Sequence, residues 1–174
     1  AVINLDFETG ELNWIIGDPE NWPQEYVDKY FFTPVGDGEF DWQYEQHACV
    51  VLPDGDIMLF DNGHYRAKNP DNYIPNSQNF SRGVRYRIDT DKMTIEQVWQ
   101  YGKERGAEFF SPYICNVEYY DEGHYMVHSG GIGYLDGKPC EGMAVMLAMQ
   151  PETKDRVSFE SITCELIDDE VVYE

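Results

Sequence analysis

Apolar and polar residues alternate in short runs along most of the chain, and Gly, Asp, Asn or Pro closes each run. A period of two with such punctuation marks half-buried β-strands joined by tight turns. The pattern predicts strands at Ala1–Phe7 and Leu12–Gly17, separated by a turn at Glu8–Glu11. A longer segment, Asp18–Glu39, breaks the alternation. Pro19 and the spacing of Tyr26, Tyr30 and Phe31 permit one short helix there. Four strands follow: His47–Leu52, Asp56–Asp61, Gly83–Asp89 and Met93–Tyr101, with a polar insertion at Asn62–Ser81. After a connector, Gly102–Phe110, four more are expected at Tyr113–Tyr120, His124–His128, Met143–Gln150 and Arg156–Ile167. The Gly-rich stretch Ser129–Gly142 divides this second set.

These strands repeat as hairpins of two kinds. "VLPDGDIMLFDNG" and "VEYYDEGHYMVHSGG" form one kind; "INLDFETGELNWII", "YRIDTDKMTIEQVW" and "LAMQPETKDRVSFESI" form the other. Two hairpins in succession make a four-stranded antiparallel meander, the unit of a β-propeller blade. The fold class expected is therefore all-β, with about two and a half blades of a propeller. Residues 1–46 end one blade and carry a connector, 47–110 make a full blade, and 111–174 make another. A closed propeller needs roughly four to eight blades. The end sheets of such an arc must be covered by further blades of a longer polypeptide or by self-association. A stand-alone twisted sheet or sandwich is the alternative.

The chain has 174 residues, 42% of them apolar and 15% aromatic, enough for a substantial core. Acidic residues outnumber basic ones 33 to 12, giving a net charge of −21. That field repels phosphate backbones and anionic lipid, so neither nucleic acid nor membrane is an expected partner. An anionic substrate would need a local cationic pocket. No apolar run approaches the ~20 residues of a membrane span, and AVINLDFETG shows no signal-peptide pattern. Cys49, Cys115, Cys140 and Cys164 lack metal-ligand spacing; three of them lie in apolar strand-like runs that favour small buried thiols. The compartment stays undecided on residues alone.

The candidate chemistry centres on imidazoles. His47 opens a strand after Asp41-Trp42-Gln43-Tyr44-Glu45-Gln46, where it is either a ligand-facing group or a hydrogen-bonded strand end. His64 and Arg66, in Asp61-Asn62-Gly63-His64-Tyr65-Arg66, form a turn able to grip a sulfate-sized anion, or simply a solvated loop. His128 precedes Ser129-Gly130-Gly131, where backbone N–H groups can approach a ligand. His124 shares its strand face but reads as exposed and inert. No motif calls for a cofactor, and no His–carboxylate spacing makes a metal site, although a metal-dependent hydrolase remains a formal alternative.

Three stretches, Gln46-His47 leading to "LPDGDIMLFDNGHYR", then "FSRGVRYRID", then "QVWQYGKERGAEFFSP", resemble the bacterial arylsulfate sulfotransferases that use no nucleotide sulfate donor. The resemblance covers roughly half the chain, and "TGELNWIIG" is compatible with the preceding blade. It implies a six-bladed propeller with an axial active site. It also implies transfer of a sulfuryl group from a phenolic sulfate donor to a phenol acceptor through a sulfated histidine, in a bacterial periplasmic or secreted setting. By position, His47 matches a family active-site histidine and Arg66 the sulfate-binding arginine. The family nucleophile lies a few residues after a Gly-Gly turn, whereas His128 stands just before Gly130-Gly131. Asn62, His64, Tyr44 and Trp42 are expected to line the substrate, the aromatic rings flanking a phenol. The competing reading is a non-catalytic propeller module that kept the architecture and lost the chemistry.

Overall fold

The computed structural model describes residues 1–132, 134–135, 138–139 and 160–174. A hairpin of β1 (Val2–Leu5) and β2 (Leu12–Ile16) opens the chain. Its turn is held by Asp6, whose Oδ1 accepts the N–H groups of Glu8 at 3.0 Å and Thr9 at 2.8 Å. The expected helix forms as α1 (Gln24–Tyr30), but it starts after Pro23 rather than Pro19. Pro23 fixes a backbone angle suited to helix entry and costs no needed donor there.

Sheet I is built from β3 (Thr33–Pro34), β4 (His47–Val51), β5 (Ile57–Asp61), β6 (Arg82–Asp89) and β7 (Thr94–Tyr101), in the spatial order β3-β7-β6-β5-β4. Strands β4 to β7 form the expected antiparallel meander. The two-residue β3 pairs parallel with β7 and was not anticipated, being too short to show a period. Short 3-10 turns at Pro70–Asn72 and Asn76–Gln78 interrupt the polar insertion, and another at Lys103–Glu108 fills the connector.

Sheet II contains β8 (Cys115–Asp121), β9 (His124–Ile132), β12 (Glu160–Ile167) and β13 (Glu170–Tyr173), in the order β13-β12-β9-β8, all antiparallel. The small hairpin β10 (Tyr134–Leu135) and β11 (Lys138–Pro139) lies between β9 and β12 in sequence. Two expectations are corrected here. The sequence pattern makes the strand ending at Ile167 the last of its meander, yet β12 pairs directly with β9 and β13 supplies the edge. The β12–β13 connection is Asp168-Asp169, with φ of 49° and 66°, a two-residue turn of the left-handed kind that gave no Gly signal. The expected strand Met143–Gln150 lies outside the described residues. In addition, Gly130 and Gly131 are not a turn but the interior of β9.

Every residue of β5 is buried. Its alternate side chains feed two separate cores, which is why the run reads IMLF rather than as a strict alternation. Met58 and Phe60 pack with Leu52, Phe109, Val117, Tyr125, Val127, Cys164 and Leu166 between the two sheets. Ile57 and Leu59 pack with Ile16, Phe32, Val84, Tyr86 and Ile95 on the other side. Sheet I is thus the middle layer. Arg85 of β6 adds a polar clamp, reaching Asp56 at 2.8 Å, Asp54 at 2.6 Å and Glu122 of the β8–β9 turn at 2.9 Å. Cys164 is buried as expected and Cys115 half-buried, but Cys49 is exposed because it sits on the edge strand β4. Among the described residues, no helix is long and apolar enough to cross a membrane.

Candidate active site

His47 begins β4 at a bulge: it pairs with Phe60, while Val50 already pairs with Met58, so one residue is extra. Ala48 takes up the kink with φ of 52°. A bulge re-aims the side chain beside it, and the His47 Nδ1 comes to lie 2.7 Å from Asn62 Oδ1. Asn62 is fully buried just past the end of β5. Its Nδ2 donates to the Ser111 carbonyl at 2.8 Å and to Cys115 Sγ at 3.1 Å. Those acceptors fix which end of the amide is nitrogen. Oδ1 therefore faces His47, Nδ1 is the donor, and a neutral His47 carries its lone pair on Nε2.

His128 lies in β9 opposite Thr163 of β12, and its Nδ1 is 2.7 Å from Thr163 Oγ1. Its Nε2 is 2.7 Å from the point a Cβ on Gly130 would occupy. Any other residue at 130 would crowd that nitrogen, and would also meet the Ile114 carbonyl oxygen at 2.0 Å. The glycines act by leaving room, not by offering donors to a ligand: the Gly131 N–H is already given to Ser111 Oγ at 2.7 Å.

Both imidazoles stand at the same end of the sheets, where β8 begins. Cys115 pairs with Ser129 and Asn116 with His128, so by strand alternation Cys115 and His128 face opposite sides of sheet II. Asn62 and His47 approach from the Cys115 side. The two rings flank the start of β8, and among the described residues no direct contact joins them. Burial raises the Cys115 thiol above its usual range, against the opposing hydrogen bonds from Ser111, Gly130, Asn62 and Gly131.

Arg66 is engaged by the fold. Its Nε reaches Asn79 Oδ1 at 3.2 Å, Nη1 reaches Asp61 Oδ2 at 3.0 Å and the Trp42 carbonyl at 3.4 Å, and Nη2 reaches the Phe80 carbonyl at 2.9 Å. The guanidinium lies 3.7 Å from the Phe80 ring centroid. Asp61, with no exposed surface, also accepts from Arg82 Nε at 3.1 Å and from the Tyr44 N–H at 2.9 Å. One buried carboxylate thus holds two arginines.

The remaining expected residues gather elsewhere. His64 pairs with Glu45 at 3.0 Å and stacks on Tyr65, which stacks on Tyr73. With Tyr44, Gln43, Gln46 and Lys68 they line a cavity of about 380 Å³. The Tyr44 hydroxyl donates to Asp18, and burial with that carboxylate raises its pKa. Trp42 packs edge-on against Phe40 beside the second core and lines a different cleft with Phe31 and Met93. His124 is not the exposed, inert group expected: it is half-buried and 2.7 Å from Glu165. A cavity of about 640 Å³ around Arg85, Trp99 and Glu122 contains none of the expected site residues. No cluster of three or more potential metal ligands occurs among the described residues.

Sequence reasoning did not single out Thr163, Cys115, Ser111, Asp61 or Arg82. Thr163 lies 35 positions from His128, and only the β9–β12 register reveals the pair. Asp61 did leave a signal, as the one charge closing the otherwise apolar run of β5, all of which becomes buried.

Comparison with known proteins bears on this arrangement. The profile of the family described as Arylsulfotransferase (ASST) matches residues 1–174. An arylsulfate sulfotransferase, AssT, of Escherichia coli O6:H1 (strain CFT073) is 32% identical over 149 aligned residues, covering 76% of this chain and 24% of the relative. An AssT of Lelliottia amnigena is 31% identical over 149 residues, with the same coverage of each chain. The chain spans about a quarter of the length of these curated relatives. With a match along its whole length, the chain belongs to the arylsulfotransferase family.

Proposed function

We propose that this chain forms part of the catalytic centre of an aryl sulfotransferase, moving a sulfuryl group from an aryl sulfate ester to a phenolic acceptor. The observation that carries the reading is that each of two imidazoles has its Nδ1 tied down, by Asn62 and Thr163, with Nε2 as its other ring nitrogen. A ring held through one nitrogen presents the other in a fixed direction, as nucleophilic and acid–base catalysis both require.

In this scheme the Nε2 lone pair of neutral His128 attacks sulfur. An N–S bond forms as the S–O bond to the donor breaks, and the departing phenolate takes the Nε2 proton of His47, which enters this step as the imidazolium and leaves it neutral with its remaining proton on Nδ1. The acceptor phenol then returns a proton to His47 while its oxygen attacks sulfur and the N–S bond breaks. Charge is spread over the equatorial sulfonate oxygens in both steps, so positioned cationic donors matter more than further covalent chemistry. Arg66, with one face stacked on Phe80 and its donors held by Asp61, would supply that field.

The two antiparallel meanders, packed through a shared apolar core, support reading them as neighbouring propeller blades, with boundaries near residues 46 and 110. Further blades, or another copy of the chain, would complete the ring. A second reading, a propeller module without catalysis, is favoured by one observation: Arg66 gives its donors to Asn79, Asp61, Trp42 and Phe80 rather than keeping them for a ligand. Exchange of sulfate from p-nitrophenyl sulfate to phenol, assayed in the full polypeptide that carries this chain, separates the two. Nitrophenolate release that depends on phenol supports the enzyme; no release supports the module.

A further inference from the structure

Ile114, the residue before β8, has a left-handed backbone with φ of 57° and leaves 59% of its surface exposed. That conformation is sterically poor for a β-branched residue. An isoleucine so exposed recovers little burial energy in return. Strain of this kind persists only where the surroundings over-determine it, and it gathers at functional sites.

The surroundings here do over-determine it. Ser111 is fully buried, takes a bond from its own N–H to Ser81 Oγ at 2.8 Å, and its Oγ donates to the Tyr113 carbonyl at 2.7 Å. Cys115 Sγ lies 3.2 Å from Ser111 Oγ and 3.3 Å from the Tyr113 carbonyl. Both sides of Ile114 are therefore pinned, and the turn cannot relax without breaking these bonds.

Its position is equally specific. The Ile114 carbonyl oxygen and His128 Nε2 lie 2.0 and 2.7 Å from the same point, the one a Gly130 Cβ would fill. Its other neighbour, Cys115, touches Asn62, the partner of His47. The side chains that hold the two imidazoles, Asn62, Cys115, Ser111 and Thr163, are small and mostly polar. They offer little apolar surface to an aromatic ring.

We infer that Ile114 is a specificity-determining contact, an apolar wall against the aromatic ring of an aryl sulfate beside His128. The inference rests on the sulfotransferase reading and adds to it the residue that distinguishes aryl from small sulfate esters.

The test is calorimetric binding of p-toluenesulfonate and of inorganic sulfate to the full polypeptide, in wild type, Ile114→Val and Ile114→Asn. Asparagine tolerates the left-handed region, so Ile114→Asn removes the apolar contact without adding strain. It should weaken p-toluenesulfonate about tenfold, the scale of a lost hydrophobic pocket contact, leave sulfate unchanged, and not lower the melting temperature. Ile114→Val keeps a smaller apolar side chain, so it should weaken p-toluenesulfonate less than Ile114→Asn does and leave sulfate unchanged. If Ile114→Asn does not fold, Ile114→Ala is expected to show the same selective loss. Unchanged p-toluenesulfonate affinity, or equal weakening of both anions, overturns the contact alone. A wild type that binds neither anion overturns the sulfotransferase reading and this contact with it.

Discussion

The Asn62 amide holds His47 by its Nδ1 at 2.7 Å while its own nitrogen is committed to Ser111 and Cys115, so one buried side chain sets the imidazole's tautomer and direction. Sequence offers Asn62 only as a polar residue in a turn. The structure makes it the link between the end of β5 and the start of β8.

Asn62→Leu keeps the volume and removes both functions. His47 loses its anchor, and the Ser111 carbonyl loses a buried donor. Activity is expected to fall about 10–100-fold, as for lost outer-shell partners of catalytic histidines, with about 1–3 kcal/mol of stability lost. The specific readout is the ¹⁵N shift of the His47 ring. A neutral ring that stays protonated on Nδ1 in the variant would remove Asn62 from this role.

Asp61 bears a heavier structural duty. Asp61→Asn is nearly isosteric but leaves Arg66 and Arg82 without their shared carboxylate, and the Arg82 side chain has no exposed surface. Breaking a buried ion pair from one side costs about 3–5 kcal/mol. Urea denaturation should show a loss of that order. A change under 1 kcal/mol would mean that neighbouring groups such as Asp41 and Gln97 already satisfy the arginines.

Arg66→Lys separates scaffold from ligand grip. Lysine keeps the charge but cannot span Asn79, Asp61, Trp42 and Phe80 from one planar group. Stability should fall by about 1–3 kcal/mol, and transfer should fall with it if the guanidinium also stabilises sulfonate charge. Steady-state kinetics below the unfolding transition decide the point. Lower stability with wild-type kcat/KM would make Arg66 a scaffold residue only.

Acid should weaken the fold partly through Asp41. Burial alone would raise its pKa, but the Lys103 ammonium at 2.7 Å and the Arg82 guanidinium outweigh burial and hold the carboxyl below its usual value. A depressed folded pKa means that the unfolded chain binds the proton first as pH falls. The contribution is therefore complete above the ordinary value of about 4 and is lost as pH drops through the folded value. The group is partly exposed, so the amount is modest, under about 1 kcal/mol after screening. Wild type should exceed Asp41→Asn in urea midpoint at pH 6 and match it near pH 2. A gap that persists at pH 2 would rule the carboxylate charge out as its source.

What the sequence revealed follows from where information is local. The meander of β4 to β7 was legible because its turns carry Gly or Thr-Asp signals and its strands alternate or run apolar. The order of β12 and β13 was not, because Asp168-Asp169 makes a left-handed turn without glycine. At the site, His47, Asn62 and Arg66 were visible as motif residues. Their partners Ser111, Cys115 and Asn79 were not, since a hydrogen bond across 49 or 53 positions has no periodic trace. Trp42, an aromatic residue next to the site motif, packs against the second core and lines a cleft apart from the one that His64 and Tyr44 line.

The covalent step is the most exposed part of the mechanism, and a labelling experiment addresses it directly. If His128 is the nucleophile, aryl sulfate without acceptor should leave a sulfonate on its Nε2, because the donor phenol departs before an acceptor arrives. Thr163 should matter to this step through Nδ1. Thr163→Val removes the hydroxyl at nearly constant shape, frees the ring to turn, and should slow label formation about 10–100-fold. Thr163→Ser should restore it, which a purely structural role for the methyl group would not allow. Gly130→Ala should also block labelling, since its Cβ would come within 2.7 Å of the attacking nitrogen. The adduct must be mapped under non-acidic conditions, because the N–S bond is acid-labile. Label on His47 instead would exchange the two roles and make Asn62, rather than Thr163, the partner of the nucleophile. Turnover without label on either ring would mean direct transfer between phenols, with both histidines acting only on protons.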